Sequence, residues 1–492
     1  MVPDRDPAQR CSWSLWMAMA EQSARADALQ AQLDQMLASR SWRVTAPIRA
    51  FLRLLGVGVK SHRPSLQSAP ADAGRAVWLP EAIRIAADRG EAPPWMPGAF
   101  VQAPERRLFV DVSELALEDL GAGVQRVTRR VLAAMLASPQ GGLSIEPVRL
   151  SSDRGFVLAR QFLASAMGLP KGSLGEDSPF DASAGDVYLA LDFHREHAAA
   201  IGHAVAALRV RGVSTCFLVH DALPASCPEW FPPDVVEDYA RWLAMVSGCA
   251  DALMCISVAT RDAVLSQLAA RGLPIPRGGA FVFPLGSDPF PAPGTSPLPG
   301  RIAGRPRVLM VGTIEPRKGH AQALAAMELL WQRSQDFELV LVGHGGWMTG
   351  DLVARLRGHE EAGHRLHWFD SLDDRSLLAL YRESDLLLNA SYGEGYGLPI
   401  AEAGRAGCPL LLRNLPVFVE VAGGSADYFD GDGAQELASA LLAWRDDVAA
   451  RARPDPRRWH QWSDSASVLM DLCARAAGLD ASADGKNAGT KA

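Results

Sequence analysis

From Arg107 onward the chain alternates short apolar runs with stretches whose apolar residues recur every three or four positions, as strands and helices do in turn. Leu108-Phe-Val-Asp-Val112 predicts a strand, Leu120-Gly-Ala-Gly-Val124 a turn, and Val127, Val131, Leu132 and Met135 one face of a helix. Further strands are predicted at residues 187–191, 215–219, 252–256 and 280–283. A second series opens after residues 291–300, whose Pro/Gly-rich composition is that of an interdomain linker. Its strands are predicted at 307–311, 338–342, 365–369, 386–388 and 409–412, with helices at 322–333 and 377–382. Such alternation implies mostly parallel sheets, and two α/β units in series place a ligand cleft between them. The expected layout is a first Rossmann-like domain over residues 105–295, a second over 296–455, a C-terminal helix over 456–477 and a disordered small, polar tail over 478–492.

The first 104 residues differ. Leu29, Leu33 and Met36 form a helical stripe; further on, Thr45 can cap a second helix with Pro47 in its first turn, leaving Ile48, Phe51, Leu52 and Leu55 on one face. Arg40, Arg43, Arg49, Arg53, Lys60 and Arg63 make that segment basic. Two readings stay open: peripheral docking of residues 40–60 on an anionic membrane surface, or packing of a helix on the protein's own body. Residues 61–104, rich in Pro, Ala and Gly, read as a linker, so that residues 1–104 form a helical N-terminal extension. No run of about 18 uncharged apolar residues occurs, so a membrane-spanning helix is not expected.

At 492 residues the chain exceeds one ordinary core, and 48% hydrophobic with 21% charged residues is the balance of a folded protein. A formal charge of −7 argues against nucleic acid as partner. Seven cysteines without a C-x-x-C pair read as reduced thiols of a cytoplasmic protein and offer no zinc site.

Chemistry concentrates in two segments at predicted strand ends. Val311-Gly-Thr-Ile-Glu-Pro-Arg-Lys-Gly-His320 places Arg317 and Lys318 between a strand and a helix start, where a guanidinium fork, an ammonium and the helix dipole all favour a phosphate. Ser391-Tyr-Gly-Glu-Gly-Tyr-Gly-Leu-Pro-Ile-Ala-Glu402 has Glu394 in a glycine-rich loop and Glu402 in the helix that Pro399 begins. A carboxylate at Glu402 suits a vicinal diol such as a ribose, and Glu394 reaches toward a sugar or its developing charge. Two glutamates at that spacing say little alone; the glycines and the Pro-started helix around them make the pattern specific.

Together these two segments resemble the retaining glycosyltransferases of the GT-B fold, in the large group called family 4. The likeness extends over roughly residues 107–474 and points to bacterial mannosyl- and rhamnosyl-type enzymes that build O-antigen, lipopolysaccharide or capsule. It implies an α/β protein of two Rossmann-like domains facing a central cleft. It also implies a hexose moved from a nucleotide sugar, GDP-mannose or a related donor, to a growing polysaccharide or lipid-linked oligosaccharide, on the inner face of the cytoplasmic membrane. Arg317 and Lys318 would hold the donor diphosphate with backbone N–H groups of Gly395, Tyr396, Gly397 and Leu398; Glu402 would hold the ribose, and Glu394 the transferred sugar. Many members carry Gly-Arg where this chain has Gly312-Thr313, which concentrates the phosphate grip on Arg317 and Lys318. The resemblance also implies that Gly123 approaches the donor phosphates, that Gln125 touches the acceptor and that His220 contacts the transferred sugar. Asp221 would orient the site or meet the acceptor hydroxyl, and Asp373 would accept from a guanine base. Ser257 is expected to cap a helix.

Such enzymes need no cofactor, and no D-x-D metal signature stands in a suitable loop. A Rossmann oxidoreductase or epimerase would need a full G-x-G-x-x-G and a Tyr-x-x-x-Lys pair, and both are absent. A non-catalytic nucleotide-sugar-binding scaffold of a polysaccharide assembly complex is the alternative from another class.

Overall fold

The computed structural model describes residues 106–117, 123–139, 143–287, 298–447 and 451–478. The basic amphipathic segment and linker of residues 1–104, Gly121 and Ala122 of the glycine turn, most of the 291–300 segment and the tail beyond Gly478 lie outside them.

Seven strands form the first sheet: β1 Arg106–Asp111, β2 Leu143–Ser151, β3 Gly155–Leu158, β4 Val187–Ala190, β5 Ser214–Val219, β6 Ala252–Cys255 and β7 Ala280–Val282. Their order is β3-β2-β1-β4-β5-β6-β7. Six form the second: β8 Arg307–Val311, β9 Glu338–Val342, β10 Leu366–Phe369, β11 Leu386–Asn389, β12 Leu410–Arg413 and β13 Asp427–Phe429, in the order β10-β9-β8-β11-β12-β13. From β2 to β7 in the first sheet and throughout the second, neighbours run parallel, as β1 with β4 and β8 with β11 do. Parallel strands covered by helices on both faces need apolar side chains on both, which is why Val308 to Met310, Leu339 to Val342 and Leu386 to Leu388 read as unbroken apolar runs and are buried. The strand order reverses between β1 and β4 and again between β8 and β11, so each sheet has a switch point where ligands bind at the carboxyl ends. These are the two Rossmann-like halves that the alternating pattern implies.

Three strands, β2, β3 and β13, were not legible in the pattern. β2 carries Glu146 and Pro147, and a proline argues against an interior strand, yet Pro147 is placed opposite Val110 in register. β13 is only three residues long.

Residues 157–180 with Leu136–Ser138 belong to a small compact unit, in which Asp177 Oδ1 accepts from Gln161 N at 2.8 Å at the start of the helix Arg160–Ala166. Strands β1, β2 and β4 to β13 lie in the larger unit. At its end the helix Trp462–Ala476 returns to the first sheet: Ser465 Oγ donates to Pro284 O at 2.7 Å, and Ser287 N to His460 O at 2.8 Å. Among the described residues no helix is long and apolar enough to cross a membrane.

The second sheet holds a buried ion pair at its base. Arg307 is fully buried; its Nε donates to Glu338 Oε2 at 2.6 Å, and His367 Nε2 lies 3.1 Å from Glu338 Oε1. Burial pushes the Glu338 carboxyl up, but His367 and Arg307 outweigh it and hold it below its ordinary value. Removing one member leaves a buried charge uncompensated, so Arg307→Met is expected to cost about 3 kcal/mol in urea unfolding. Arg307→Met with Glu338→Leu is expected to recover most of that loss.

Candidate functional site

The site is assembled by two loops that leave neighbouring strands. After β8 the chain makes a tight turn at Pro316–Lys318, and Gly319 (φ 74°) opens the helix His320–Gln332. A Cβ on Gly319 would lie 2.2 Å from Ala390 O, so only glycine lets this turn meet the loop that follows β11. Tyr392 N donates to Arg317 O at 2.7 Å and locks the two loops together. From beneath, the buried Arg413 donates from Nη2 to Ala390 O at 3.1 Å and lies 4.2 Å over the Tyr392 ring.

The structure brings Arg317, Lys318 and Glu394 into one cluster. Lys318 Nζ donates to Glu394 Oε1 at 2.5 Å, Arg317 Nη1 to Glu394 Oε2 at 3.0 Å, and Ser391 Oγ to Glu394 Oε1 at 2.9 Å. Arg317 Nη1 also donates to Gly393 O at 3.0 Å. Burial pushes the Glu394 carboxyl up, but the charges of Lys318 and Arg317 and the hydrogen bonds of Lys318 and Ser391 prevail and hold it at about 2. Burial works against the Arg317 charge, and Glu394 and Glu315 more than restore it. Glu315 Oε2 lies 3.0 Å from Arg317 Nε, within ion-pair distance but off hydrogen-bond alignment; burial raises its carboxyl, against the pull of Arg317 and Lys318. His320, buried beside Lys318, is pushed down to about 3 by burial and by that ammonium, so it is neutral. A small cavity at this point is lined by Lys318, His320, Asn389, Ser391 and Pro399.

Glu402 stands on the helix Leu398–Ala406, which Gly397 (φ 94°) opens. It is 5% exposed; Tyr381 Oη donates to its Oε2 at 2.9 Å, and Arg126 Nη2, from the helix Gly123–Ala137, lies 2.8 Å from its Oε1.

The glycine-rich loop is also gripped by the first sheet. A Cβ on Gly395 would lie 1.9 Å from His220 O, so this position admits no side chain. Ser257, the N-cap of the helix Val258–Ala270, donates from Oγ to Gly395 O at 2.7 Å, Thr260 Oγ1 does so at 3.0 Å, and Tyr396 Oη donates to Leu285 O at 3.0 Å. His220 and Asp221, just past β5, are therefore brought beside Gly395. His220 Nε2 is 2.8 Å from Leu191 O; a carbonyl only accepts, so Nε2 carries the proton. Burial lowers the imidazole below its usual value and keeps it neutral. Asp221 Oδ1 accepts from Leu223 N at 3.0 Å.

Gly123 and Gln125 sit in the first turn of their helix. Asp373 is the N-cap of the helix Asp374–Glu383, accepting from Ser376 N at 2.9 Å and from Ser376 Oγ at 2.7 Å. Sequence reasoning passed over Arg126, Glu315, Ser391 and His320. Only proximity to the motifs could have pointed to the last three, and nothing local pairs Arg126 with Glu402. Among the described residues no cluster of His, Cys, Asp or Glu is arranged to hold a metal ion.

The Glu394 carboxyl sits at about 2 against an ordinary 4.5, so its ion cluster stabilises the fold above pH 4.5 and that stability is lost as pH falls toward 2. Glu394→Gln leaves two cations without their counter-charge and is expected to cost roughly 2 to 3 kcal/mol at pH 7. In urea unfolding at descending pH, the difference from wild type is expected to shrink between pH 4.5 and 3.

Residues 299–454, which span the second sheet, match the family model of glycosyl transferases group 1. The serotype-specific mannosyltransferase WbdA of Escherichia coli is 35% identical over 377 residues, covering 74% of this chain and 46% of that protein. The O-antigen chain mannosyltransferase B of Escherichia coli is 28% identical over 266 residues, covering 51% of this chain and 68% of that protein. The phosphatidyl-myo-inositol mannosyltransferase of Mycolicibacterium smegmatis is 31% identical over 159 residues, covering 31% of this chain and 40% of that protein. The chain thus spans less than half the length of WbdA. Among solved structures, Anabaena Alr3699/HepE in complex with UDP and glucose aligns with 76% of this chain and 97% of that chain, at TM-score 0.48 and 17% identity. The two Rossmann-like sheets are those of the GT-B fold, and residues 299–454 are similar to the glycosyl transferases group 1 family.

Proposed function

We propose that the chain is a retaining, metal-independent hexosyltransferase that moves mannose, or a related hexose, from GDP-mannose or a related nucleotide sugar to a growing surface polysaccharide or lipid-linked oligosaccharide. The observation that carries this reading is the convergence of Arg317, Lys318 and Glu394 at the carboxyl ends of β8 and β11, with Glu402 on the helix that follows. The mannosyltransferase names of the Escherichia coli relatives favour mannose and an O-antigen product.

Glu394 serves the two cations as an anionic partner. A donor diphosphate competes for them and frees the carboxylate toward the sugar. In the cluster with the two cations Glu394 is ionised at neutral pH, so it meets the donor as a carboxylate. Its work is that of a fixed negative charge beside an anomeric carbon that becomes cation-like. The C1–O bond to the diphosphate breaks, its electron pair going to the phosphate oxygen, whose charge Arg317 and Lys318 stabilise. The acceptor oxygen bonds to C1 on the same face, and its proton passes to that departing oxygen. The backbone N–H groups of Gly395 to Leu398 and Gly123 complete the phosphate grip. Glu402 accepts from the ribose diol. With Nε2 committed to Leu191, neutral His220 offers Nδ1 as an acceptor to a sugar hydroxyl. Asp221 and Gln125 face the acceptor. Asp373, both of whose oxygens serve Ser376, contributes to the base site mainly through the backbone it holds in place. Peripheral contact of residues 40–60 with the inner face of the cytoplasmic membrane would bring the site to lipid-linked acceptors.

A ligand that binds only the folded state raises its unfolding temperature. In a thermal-shift panel of GDP-mannose, dTDP-rhamnose, UDP-glucose and UDP-N-acetylglucosamine, GDP-mannose is expected to stabilise the wild type and not Lys318→Ala. A folded protein that responds to none of the four contradicts the reading. Stabilisation by a donor that it then neither hydrolyses nor transfers favours the scaffold alternative.

A further inference from the structure

Glu402 has a charge partner that comes from the first sheet's side. Arg126 Nη2 lies 2.8 Å from its Oε1, and the carboxylate side chain is only 6% exposed against 23% for the guanidinium. One turn further along the same helix, Arg130 Nη2 lies 2.9 Å from Asp374 Oδ2, and Arg126 Nη2 is 3.3 Å from Asp374 Oδ1. The two carboxylates differ in kind. Asp374 is 47% exposed, and an ion pair at such a rim contributes little. Glu402 is nearly closed off from water, so detaching its arginine without compensation is costly.

Glu402 is nearly closed off, with Tyr381 on Oε2 and Arg126 on Oε1, so a ribose diol reaches its carboxylate by taking the place of Arg126. A neutral diol gives the displaced guanidinium nothing in return. A nucleoside diphosphate does: its phosphates start one carbon beyond the ribose ring, and a guanidinium fork matches two phosphate oxygens. Arg126 is also three positions into the helix that Gly123 starts, an end whose exposed N–H groups favour the same anion.

We infer that Arg126 is a donor-phosphate ligand from the first domain, paired with Glu402 and passed to the diphosphate when the ribose takes the carboxylate. This rests on the assignment of Glu402 to the donor ribose. The exchange makes the site select for phosphate: a nucleoside has to break the pair and returns no counter-charge, whereas a nucleoside diphosphate replaces it. It also gives the leaving group a third cation, on the domain opposite Arg317 and Lys318.

Calorimetric titration of the full chain with GDP and guanosine, and in parallel with UDP and uridine, tests this. Arg126→Ala is expected to weaken the bound nucleoside diphosphate about tenfold or more, the scale of a lost charge-assisted pair, while the matching nucleoside binds as well as before or better. Arg126→Lys, which keeps the charge without the fork, is expected to fall between. Arg130→Ala, which breaks the rim pair with Asp374, is expected to change either affinity by less than about threefold. Equal weakening of nucleoside and diphosphate by Arg126→Ala would make the pair a structural tie and overturn the inference. So would unchanged diphosphate affinity in a variant with wild-type unfolding temperature. A folded wild type that binds none of the four ligands overturns the donor-site reading itself, an outcome distinct from a wild type that binds and an Arg126→Ala variant that binds equally well.

Discussion

The Glu394 carboxylate is held between the Lys318 ammonium and the Arg317 guanidinium, and the rest of the site is arranged to keep those three groups within reach of one another. Two cations side by side in a largely water-excluded place repel, and a single carboxylate without them would take up a proton. Each therefore needs the others until a ligand arrives. The cluster asks for an anion with more than one oxygen to share, and Glu394 supplies that internally. A diphosphate satisfies the same requirement with more charge, which is why a resting ion cluster reads as a donor site.

Holding such charges in register demands rigid backbone, and glycines at close approaches provide it. Gly319 lets the turn carrying Arg317 and Lys318 touch Ala390, and Gly395 lets the loop carrying Glu394 touch His220 of the first sheet. Ser257 and Thr260 then fix the Gly395 carbonyl from the first sheet's side. The consequence is geometric: His220 and Asp221, just past β5, are indexed to the loop carrying Glu394 by backbone contact rather than by flexible side chains. Arg126 and Glu402 make a second connection between the two sheets, this one an ion pair.

Much of this was legible in the chain. β8 to β12 are apolar runs bounded by polar or turn residues, and buried parallel strands must read that way. The loop residues Arg317, Lys318, Glu394 and Glu402 showed themselves because glycines and Pro399 surround them with a backbone pattern that few contexts require. β2 stayed hidden because Glu146 and Pro147 interrupt its apolar run, and β13 because three residues carry no periodicity. The pairing of Arg126 with Glu402 and of Gly395 with His220 depends on how the two sheets meet, and neither has a signal in local sequence. Asp373 illustrates the opposite limit: its position is that of a base-reading residue by resemblance, while an aspartate just before a helix is also what capping demands, and here it caps.

The most direct test of the account is a crystal structure of the full chain with GDP bound. The account predicts the diphosphate oxygens within hydrogen-bond distance of Arg317 and Lys318, with Glu394 released from them and the ribose hydroxyls on Glu402. A nucleotide bound elsewhere, with the Lys318–Glu394–Arg317 cluster intact, would contradict it.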